Sequence, residues 1–414
     1  MKYIVIQGDG MADRPVLALK GRTPLQEAQT PWFDFLAENG RNGLLKTIPE
    51  GFPAGSEVGN LSILGYDVRE CFEGRGPLEA ASLGYDMKVN DLAMRCNIIA
   101  VDEEGKIINH HGENLTTAEG SELISFLKDN LLKKVPEAKG KVNFYPGLFY
   151  RHLLVIEGGK KGMNLFPPHD NVGENTSVLI KKMNESAKGK PEEPTAELLA
   201  RLIINSRELL ESHPINLERK KQGKPMANMI WPWSEGYKPK MDPLTSLFPQ
   251  IKSGVMITAV DLLRGIGRLA GLKNVEVEGA TGLADTNYEG KAAAAIEALR
   301  DNDFVFVHVE ATDEASHDRD LDLKLTTIQY LDNRIVGPLV KAVLEMEQPV
   351  RIALLPDHPT SVESGKHLDD AVPFVIFERD GVKDSVKKFD EISARNGVFG
   401  VLEATDFIKV FLNS

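Results

Sequence analysis

The chain has 414 residues, of which 42% are hydrophobic and 27% charged, with 49 basic against 61 acidic side chains and a net charge of −12. That length exceeds one ordinary core, so two domains are expected, with one large α/β domain as the other option. The acidic balance argues against a nucleic-acid partner, which needs clustered lysine and arginine, but leaves room for a basic pocket that takes a small phosphorylated substrate.

Residues 3–7 predict a buried strand that ends at Gly8, Asp9 and Gly10. The same N-terminal run lacks the longer apolar core of a signal peptide. No segment reaches the length of a membrane span, and Cys71 and Cys96 are too few for a disulfide framework. A cytoplasmic protein with reduced thiols and no membrane partner is expected, with a homo-oligomer left open. Residues 53–65 read as a loop followed by a helix, with Val58, Leu61 and Leu64 at helical spacing and Ser56 at its start. Strands are predicted at 93–101 and 142–156, with a helix at 116–132 between them. Lysine-rich stretches at 158–162 and 186–193 read as loops. Residues 195–212 form an amphipathic pattern with Thr195 as N-cap. Further on, strands are predicted at 254–260, 304–309, 350–355 and 373–377, and helices at 261–270 and 323–346. Strand, loop and helix in repetition favour a parallel sheet packed by helices. The change of texture from about 89 to about 189 reads as an inserted cap domain. It interrupts a metal-binding domain made of 1–88 and 190–414, with hinges near 84–91 and 188–194.

Metal-type side chains gather where these strands end. Asp9 follows the first; Asp313 and His317 stand four apart in HVEATDEASHD; Asp357 and His358 are adjacent in LLPDHPT; His367 follows in GKHLDDAVP. Six carboxylate and imidazole groups, most at the carboxyl ends of apolar runs, suit a pair of divalent cations. A mixed Asp/His set without cysteine fits manganese, zinc or cobalt, and magnesium less well. Serine is a frequent helix N-cap. Beside six ligands, however, Ser56 in GSEVGN reads as a metal-activated nucleophile for phosphorus, with Gly55 allowing close approach and the helix N-terminus suiting a phosphate.

Several motifs carry a resemblance. DGMADRP (9–15), GSEVGNLSILGYD (55–67), GRGPLEAASLG (74–84), RCN (95–97), EGATGLADTNYEGKA (278–292), ATDEASHD and PDH are similar to those of cofactor-independent phosphoglycerate mutases of the archaeal type, within the alkaline-phosphatase superfamily. The resemblance implies an alkaline-phosphatase-like α/β sheet packed by helices and interrupted by a smaller α/β cap. It implies that Asp9, Ser56, Asp357 and His358 hold one metal and Asp313, His317 and His367 the other. It also implies that phosphate moves between the 3- and 2-positions of glycerate, a reaction of glycolysis and gluconeogenesis, by way of phosphoserine at Ser56. The phosphate and carboxylate of such a substrate call for guanidinium forks. Arg75, Arg95 and Arg151 are the candidates, with His169, Asn287 and Lys291 behind them.

INHHGENLT (108–116), with His110 and His111, and MIWPWSEGYKP (229–239), with Trp231 and Trp233, depart from the archaeal pattern. They resemble a bacterial subgroup proposed to phosphorylate homoserine. Three acceptors therefore stand beside one metal centre: glycerate, homoserine and water, the last giving a plain phosphomonoesterase. The chain lacks GxxxxGK[ST], which ranks a nucleotide-dependent homoserine kinase below the mutase. The two tryptophans are expected to pack between domains, and the histidine pair to lie in a solvated loop.

Overall fold

The run Lys2–Gly8 forms the predicted strand and is almost wholly buried, because it is the centre of a sheet covered on both faces. The computed structural model describes residues 1–413. In chain order the strands are β1 (Lys2–Gly8), β2 (Arg41–Lys46), β3 (Asp91–Val101), β4 (Ile107–Asn109), β5 (Val142–Tyr145), β6 (Arg151–Glu157), β7 (Met229–Gly236), β8 (Gly254–Ile257), β9 (Lys273–Val275), β10 (Phe304–Val309), β11 (Val350–Leu355), β12 (Thr360–Ser361), β13 (Lys366–His367), β14 (Val372–Glu378) and β15 (Val401–Glu403). The chain divides into two compact units, Met1–Phe72 with Lys240–Ser414, and Glu73–Pro239.

The first unit carries an eight-stranded sheet in the order β15-β2-β14-β11-β1-β10-β8-β9. Strands β11, β1, β10, β8 and β9 are mutually parallel, whereas β14 runs antiparallel to both β11 and β2. The parallel set aligns the carboxyl ends of β1, β10 and β11 on one edge, where the loops leaving the sheet can gather ligand groups. Apolar runs such as FVFVHV and VRIALL stay buried throughout. The predicted helix at 323–346 is broken. Leu321–Leu331 and Gly337–Glu345 are joined by a π-helical segment, Asp332–Val336. Asp332 turns its carboxylate to accept the N–H groups of Trp32 (2.9 Å) and Phe33 (2.8 Å), opening the helix Pro31–Asn39.

The second unit is built on an antiparallel sheet, β4-β3-β6-β5, with β7 also paired to β3. Residues 142–156 are a hairpin, not one strand, and Pro146 and Gly147 open its turn. The helix Thr117–Lys134 starts on a capping box between Thr116 and Glu119. The helix Glu193–Glu211 begins before Thr195, with Pro194 in its first turn; Thr195 accepts the Lys160 N–H instead of capping. The compact unit is wider than the expected 89–189 insertion. Leu199, Leu202 and Ile203 of that helix and Ile230, Trp231 and Trp233 of β7 share one core with β3 and β6, which draws 190–239 into it. Trp231 and Trp233 thus pack inside this unit, with indole N–H bonds to the Phe166 carbonyl and the Asn97 side chain. Cys71 and Cys96 are buried and unpaired. No helix among the described residues is long and apolar enough to cross a membrane.

Candidate metal centre

Asp9 follows β1, Asp313 lies one turn into the helix Ala311–His317 after β10, and Asp357 and His358 follow β11, so adjacent parallel strands bring the three carboxylates to one edge. All four residues are buried. Their loops are tied together: Thr312 donates its hydroxyl to the Asp9 carbonyl, and the Gly10 N–H reaches Asp357 Oδ1 at 3.3 Å. Gly10 itself has φ +59, and a Cβ there would collide with Asp313 and Thr360, so a side chain is excluded.

Ser56 opens the helix Ser56–Ile63; Gly55, not Ser56, occupies the cap position. The hydroxyl is therefore free of capping and stands 3.1 Å from Asp9 Oδ2 and 3.2 Å from His358 Nε2. Asn60, one turn on, donates to the Ser56 carbonyl at 2.9 Å and to Asp357 Oδ2 at 3.0 Å, which fixes the helix against the β11 loop. Gly59 lets that helix approach: a Cβ would lie 2.6 Å from the Asp357 carbonyl.

The histidines are oriented by backbone carbonyls. His317 Nδ1 lies 2.9 Å from the Gly365 carbonyl and His367 Nδ1 3.1 Å from the Ala54 carbonyl. A carbonyl only accepts, so both Nδ1 atoms carry hydrogen and both Nε2 lone pairs turn inward. Those two Nε2 atoms sit 2.9 Å apart, and His317 Nε2 is 3.0 Å from Asp313 Oδ2. Facing lone pairs beside a carboxylate repel unless a cation lies among them. This inner arrangement, held by an outer layer of carbonyls, fits a divalent ion. Positive charge is drawn to this cluster, whether carried by an ion among the Nε2 atoms or, where none is bound, by a proton on an imidazole Nε2. Burial, then the charges of Asp357, Glu310 and Asp313, raises Asp9 well above the usual carboxylate range. Burial works the same way on Asp313, but hydrogen bonds from His317 and His367 hold it well below that range. The Asp313 bond in turn pushes His317 up to about 9. Asp313, His358 and His367 form one group able to hold a metal, and Asp9, Asp357 and His358 another.

Residues 37–216 match the family described as 2,3-bisphosphoglycerate-independent phosphoglycerate mutase. A protein of that name from Methanosarcina acetivorans is 46% identical over 415 residues, covering 100% of both chains. One named as a probable member from Geobacter sulfurreducens is 43% identical over 417 residues, again 100% of each. The chain belongs to the 2,3-bisphosphoglycerate-independent phosphoglycerate mutase family. Among solved structures, a protein from Pyrococcus horikoshii has a TM-score of 0.81 at 32% identity, over 100% of this chain and 96% of that one. A cofactor-independent phosphoglycerate mutase from Thermoplasma acidophilum has a TM-score of 0.67 at 27% identity, over 100% and 99%. The resemblance drawn from the motifs, and the α/β fold expected with it, are those of this mutase family.

The six substrate candidates of this mutase-family chain separate into two groups. Arg75, Arg95, Arg151 and His169 lie in the unit Glu73–Pro239. There the Arg95 guanidinium stacks over Trp233 at 5.2 Å and pairs with Glu79 at 3.2 Å, and its Nε is buried without a hydrogen bond. His169 meets Trp233 edge-on at 5.2 Å and His110 at 6.0 Å. His110 packs against His111 at 5.0 Å, so the pair belongs to this aromatic cluster more than to open loop. Burial, followed by neighbouring charges that include Arg95, lowers both His110 and His169. Asn287 and Lys291 lie in the other unit, on or beside the helix Tyr288–Asp301. Asn287 is its N-cap, bonding the Gly290 N–H. Lys291 is buried, donates to the His308 carbonyl at 3.0 Å, and is lowered to about 8 by that burial.

Sequence reasoning missed His308, Glu310 and Thr360. His308 is hidden inside the apolar run of β10, and its ring nitrogen reaches Asp9 Oδ2 at 2.8 Å. Thr360 donates to Asp313 Oδ1 at 2.6 Å and lies 3.1 Å from His358 Nδ1. The signals were present, in a histidine and a glutamate flanking the end of β10 and in the threonine of PDHPT, but neither spacing is distinctive alone.

Proposed function

We propose that this chain interconverts 2- and 3-phosphoglycerate through a phosphoserine at Ser56, on two divalent ions, with manganese the expected metal. The observation that carries the reading is the Ser56 hydroxyl standing 3.1 Å from Asp9 Oδ2 and 3.2 Å from His358 Nε2, at the start of a helix. Asp9, Ser56, Asp357 and His358 would hold one ion; Asp313, His317 and His367 would hold the other. Bound there, the ions supply charge that favours the serine alkoxide and offsets the phosphoryl oxygens.

The residues of the chain do the rest. Asp9 Oδ2 takes the hydrogen bond of the Ser56 hydroxyl and so aims Oγ. The Oγ–P bond forms as the ester bond to glycerate breaks, and the proton lost by Ser56 passes to the departing glycerate oxygen. In the second half the other glycerate hydroxyl attacks phosphorus, the Oγ–P bond breaks, and Ser56 regains a proton. The buried N-terminus of the helix favours the anionic phosphoserine. The unit Glu73–Pro239 is assigned the role of cap, its arginines Arg75, Arg95 and Arg151 taking the carboxylate and phosphate charge, and His169 supporting them. A cap that keeps water from phosphoserine is what separates a mutase from a phosphatase.

The test is a product assay on the metal-loaded protein. 3-Phosphoglycerate coupled to enolase should give turnover. Phosphate transfer to homoserine, or release of free phosphate in place of 2-phosphoglycerate, would replace the proposal with one of the other two acceptors.

A further inference from the structure

Glu79 has no part in the reaction described above, yet it pairs with Arg95, one of the arginines assigned to the substrate. The helix Arg75–Ser82 carries it onto β3. Gly76 makes that approach possible, since a Cβ there would lie 2.5 Å from the Met94 Cα. Ala80 of the helix shares a small core with Ala93, and Arg95, two residues on, leaves the same face of the strand. Glu79 Oε1 then stands 3.2 Å from Arg95 Nη1, with the two side chains only 17% and 11% exposed. At that burial the contact is more than an ordinary surface ion pair, and removing either partner strands a charge.

The other side of Arg95 is built as closely. Opposite the two steps from Ala93 to Arg95, β7 takes three, from Gly236 to Trp233. The extra residue makes a bulge, and Ser234 within it has φ +54, a conformation uncommon outside glycine. The Ser234 hydroxyl accepts the Arg75 N–H at 2.9 Å, which ties the bulge to the first turn of the helix that bears Glu79. Next to Ser234, the Trp233 ring lies 5.2 Å from the Arg95 guanidinium and covers one face of it. Nη1 is the nitrogen on the Cδ side of the guanidinium, so the other edge, Nε–H with Nη2, faces away from Glu79. Nε on that edge is buried and has no hydrogen-bond partner. An N–H left without an acceptor, in a side chain held on two other sides, marks a place for a ligand oxygen. Burial above all lowers the pKa of Arg95; the charge of Glu79 opposes this, and those of Arg151 and Arg75 add to it. Glu79 is the counter-charge that lets Arg95 stand buried near two other guanidiniums.

We infer that Glu79 is a positioning residue: it holds Arg95 by Nη1 and presents the Nε–Nη2 edge to the carboxylate that 2- and 3-phosphoglycerate share. A planar carboxylate matches two parallel N–H donors. Its single charge suits a guanidinium that already has one counter-charge, whereas a phosphate dianion would be repelled by Glu79. The carboxylate is also the charged handle that stays on glycerate while the phosphate is on Ser56. The inference rests on the proposed function, in which Arg95 takes substrate charge. Glycerate held loosely would leave before it is rephosphorylated. Water would then cleave the Oγ–P bond, releasing inorganic phosphate and returning a proton to Ser56.

The experiment measures KM and kcat for 3-phosphoglycerate on the metal-loaded full chain through enolase. Free phosphate is counted beside 2-phosphoglycerate, and circular dichroism checks the fold of each variant. Glu79→Met should raise KM about 10–100-fold, change kcat less, and increase the share of phosphate lost to water. Glu79→Gln, which keeps an oxygen for Nη1, should recover most of that loss. Once Arg95→Met is in place, adding Glu79→Met should cost little more. Wild-type KM and phosphate release in folded Glu79→Met, beside an impaired Arg95→Met, overturn the inference and leave Arg95 in its role. A Glu79→Gln protein as weak as Glu79→Met refutes positioning through Nη1. Wild-type behaviour in Arg95→Met, or no mutase turnover in wild type, overturns both readings. Should Glu79→Met not fold, a crystal of metal-loaded wild type with 3-phosphoglycerate decides. The substrate carboxylate on the Nε edge, with Glu79 on Nη1, is the expected result; phosphate on that edge, or no ligand oxygen there, refutes it.

Discussion

Thr360→Val removes one hydroxyl and keeps the shape of a fully buried side chain. That hydroxyl has one proton, and its 2.6 Å approach to Asp313 Oδ1 assigns the proton to that carboxylate. Its remaining contact, 3.1 Å to His358 Nδ1, must then be accepted from the ring. This sets the tautomer that leaves the His358 Nε2 lone pair facing Ser56. Thr360 therefore touches one proposed ligand of each ion. A hydrogen bond to a charged group contributes about 1.5–3 kcal/mol, and losing an outer partner of a metal ligand lowers affinity by about 10–100-fold, which is about 1.4–2.8 kcal/mol. Calorimetric titration of chelator-stripped protein with Mn2+ should show that weakening in Thr360→Val at both sites of the pair, and near-normal affinity in Thr360→Ser. Wild-type affinity in Thr360→Val, or a Thr360→Ser protein as weak as Thr360→Val, refutes the relay.

Gly59→Ala places a methyl 2.6 Å from the Asp357 carbonyl. The strain of about 1–3 kcal/mol should outweigh the roughly 1 kcal/mol helix gain of alanine, seen as a lower Tm together with weaker metal binding. Lys324→Met strips a buried ammonium that bonds Asp13 Oδ2 at 3.1 Å and the Thr360 carbonyl at 2.6 Å. A loss of about 3–5 kcal/mol is expected in denaturant unfolding, and a change under about 1 kcal/mol would show that Asp13 finds another partner. Burial pushes Asp332 up to about 7 against the pull of the Phe33 and Trp32 N–H groups. A raised carboxyl binds its proton more tightly in the folded chain. Its contribution to stability is thus complete below the ordinary aspartate range near pH ~3.9 and is lost as pH rises through about 7. Asp332→Asn should flatten the pH dependence of Tm across that window, and an unchanged slope would contradict the assignment.

Strands that end in ligand groups were legible because a buried parallel strand is a near-continuous apolar run, and the Asp that closes it stands out: Asp9 after β1, Asp357 after β11. Other features depended on partners distant in sequence. Residues 142–156 read as one strand because the turn itself, YPGLFY, is largely apolar. The helix at 323–346 kept its apolar period through a π segment that begins at Asp332, whose carboxylate binds the N-terminus of a helix far earlier in the chain. The extent of the middle unit depended on β7 pairing with β3, which no local pattern announces. His308 escaped notice because it sits inside a strand whose other positions are apolar, so its contact with Asp9 arises only from the β1–β10 register. For the broken helix, the middle unit and His308 the local pattern was sound and a long-range contact decided the outcome, whereas the hairpin was hidden by its own apolar turn.

The central claim is that Ser56 carries the phosphate. Metal-loaded protein is mixed with 3-phosphoglycerate, quenched in acid within one turnover, digested and sequenced by mass spectrometry, with Ser56→Ala alongside. The account predicts phosphate on Ser56 in wild type, together with a loss of several orders of magnitude in turnover for folded Ser56→Ala. A Ser56→Ala protein that still interconverts the phosphoglycerates near the wild-type rate, or phosphate trapped on another residue, would contradict it.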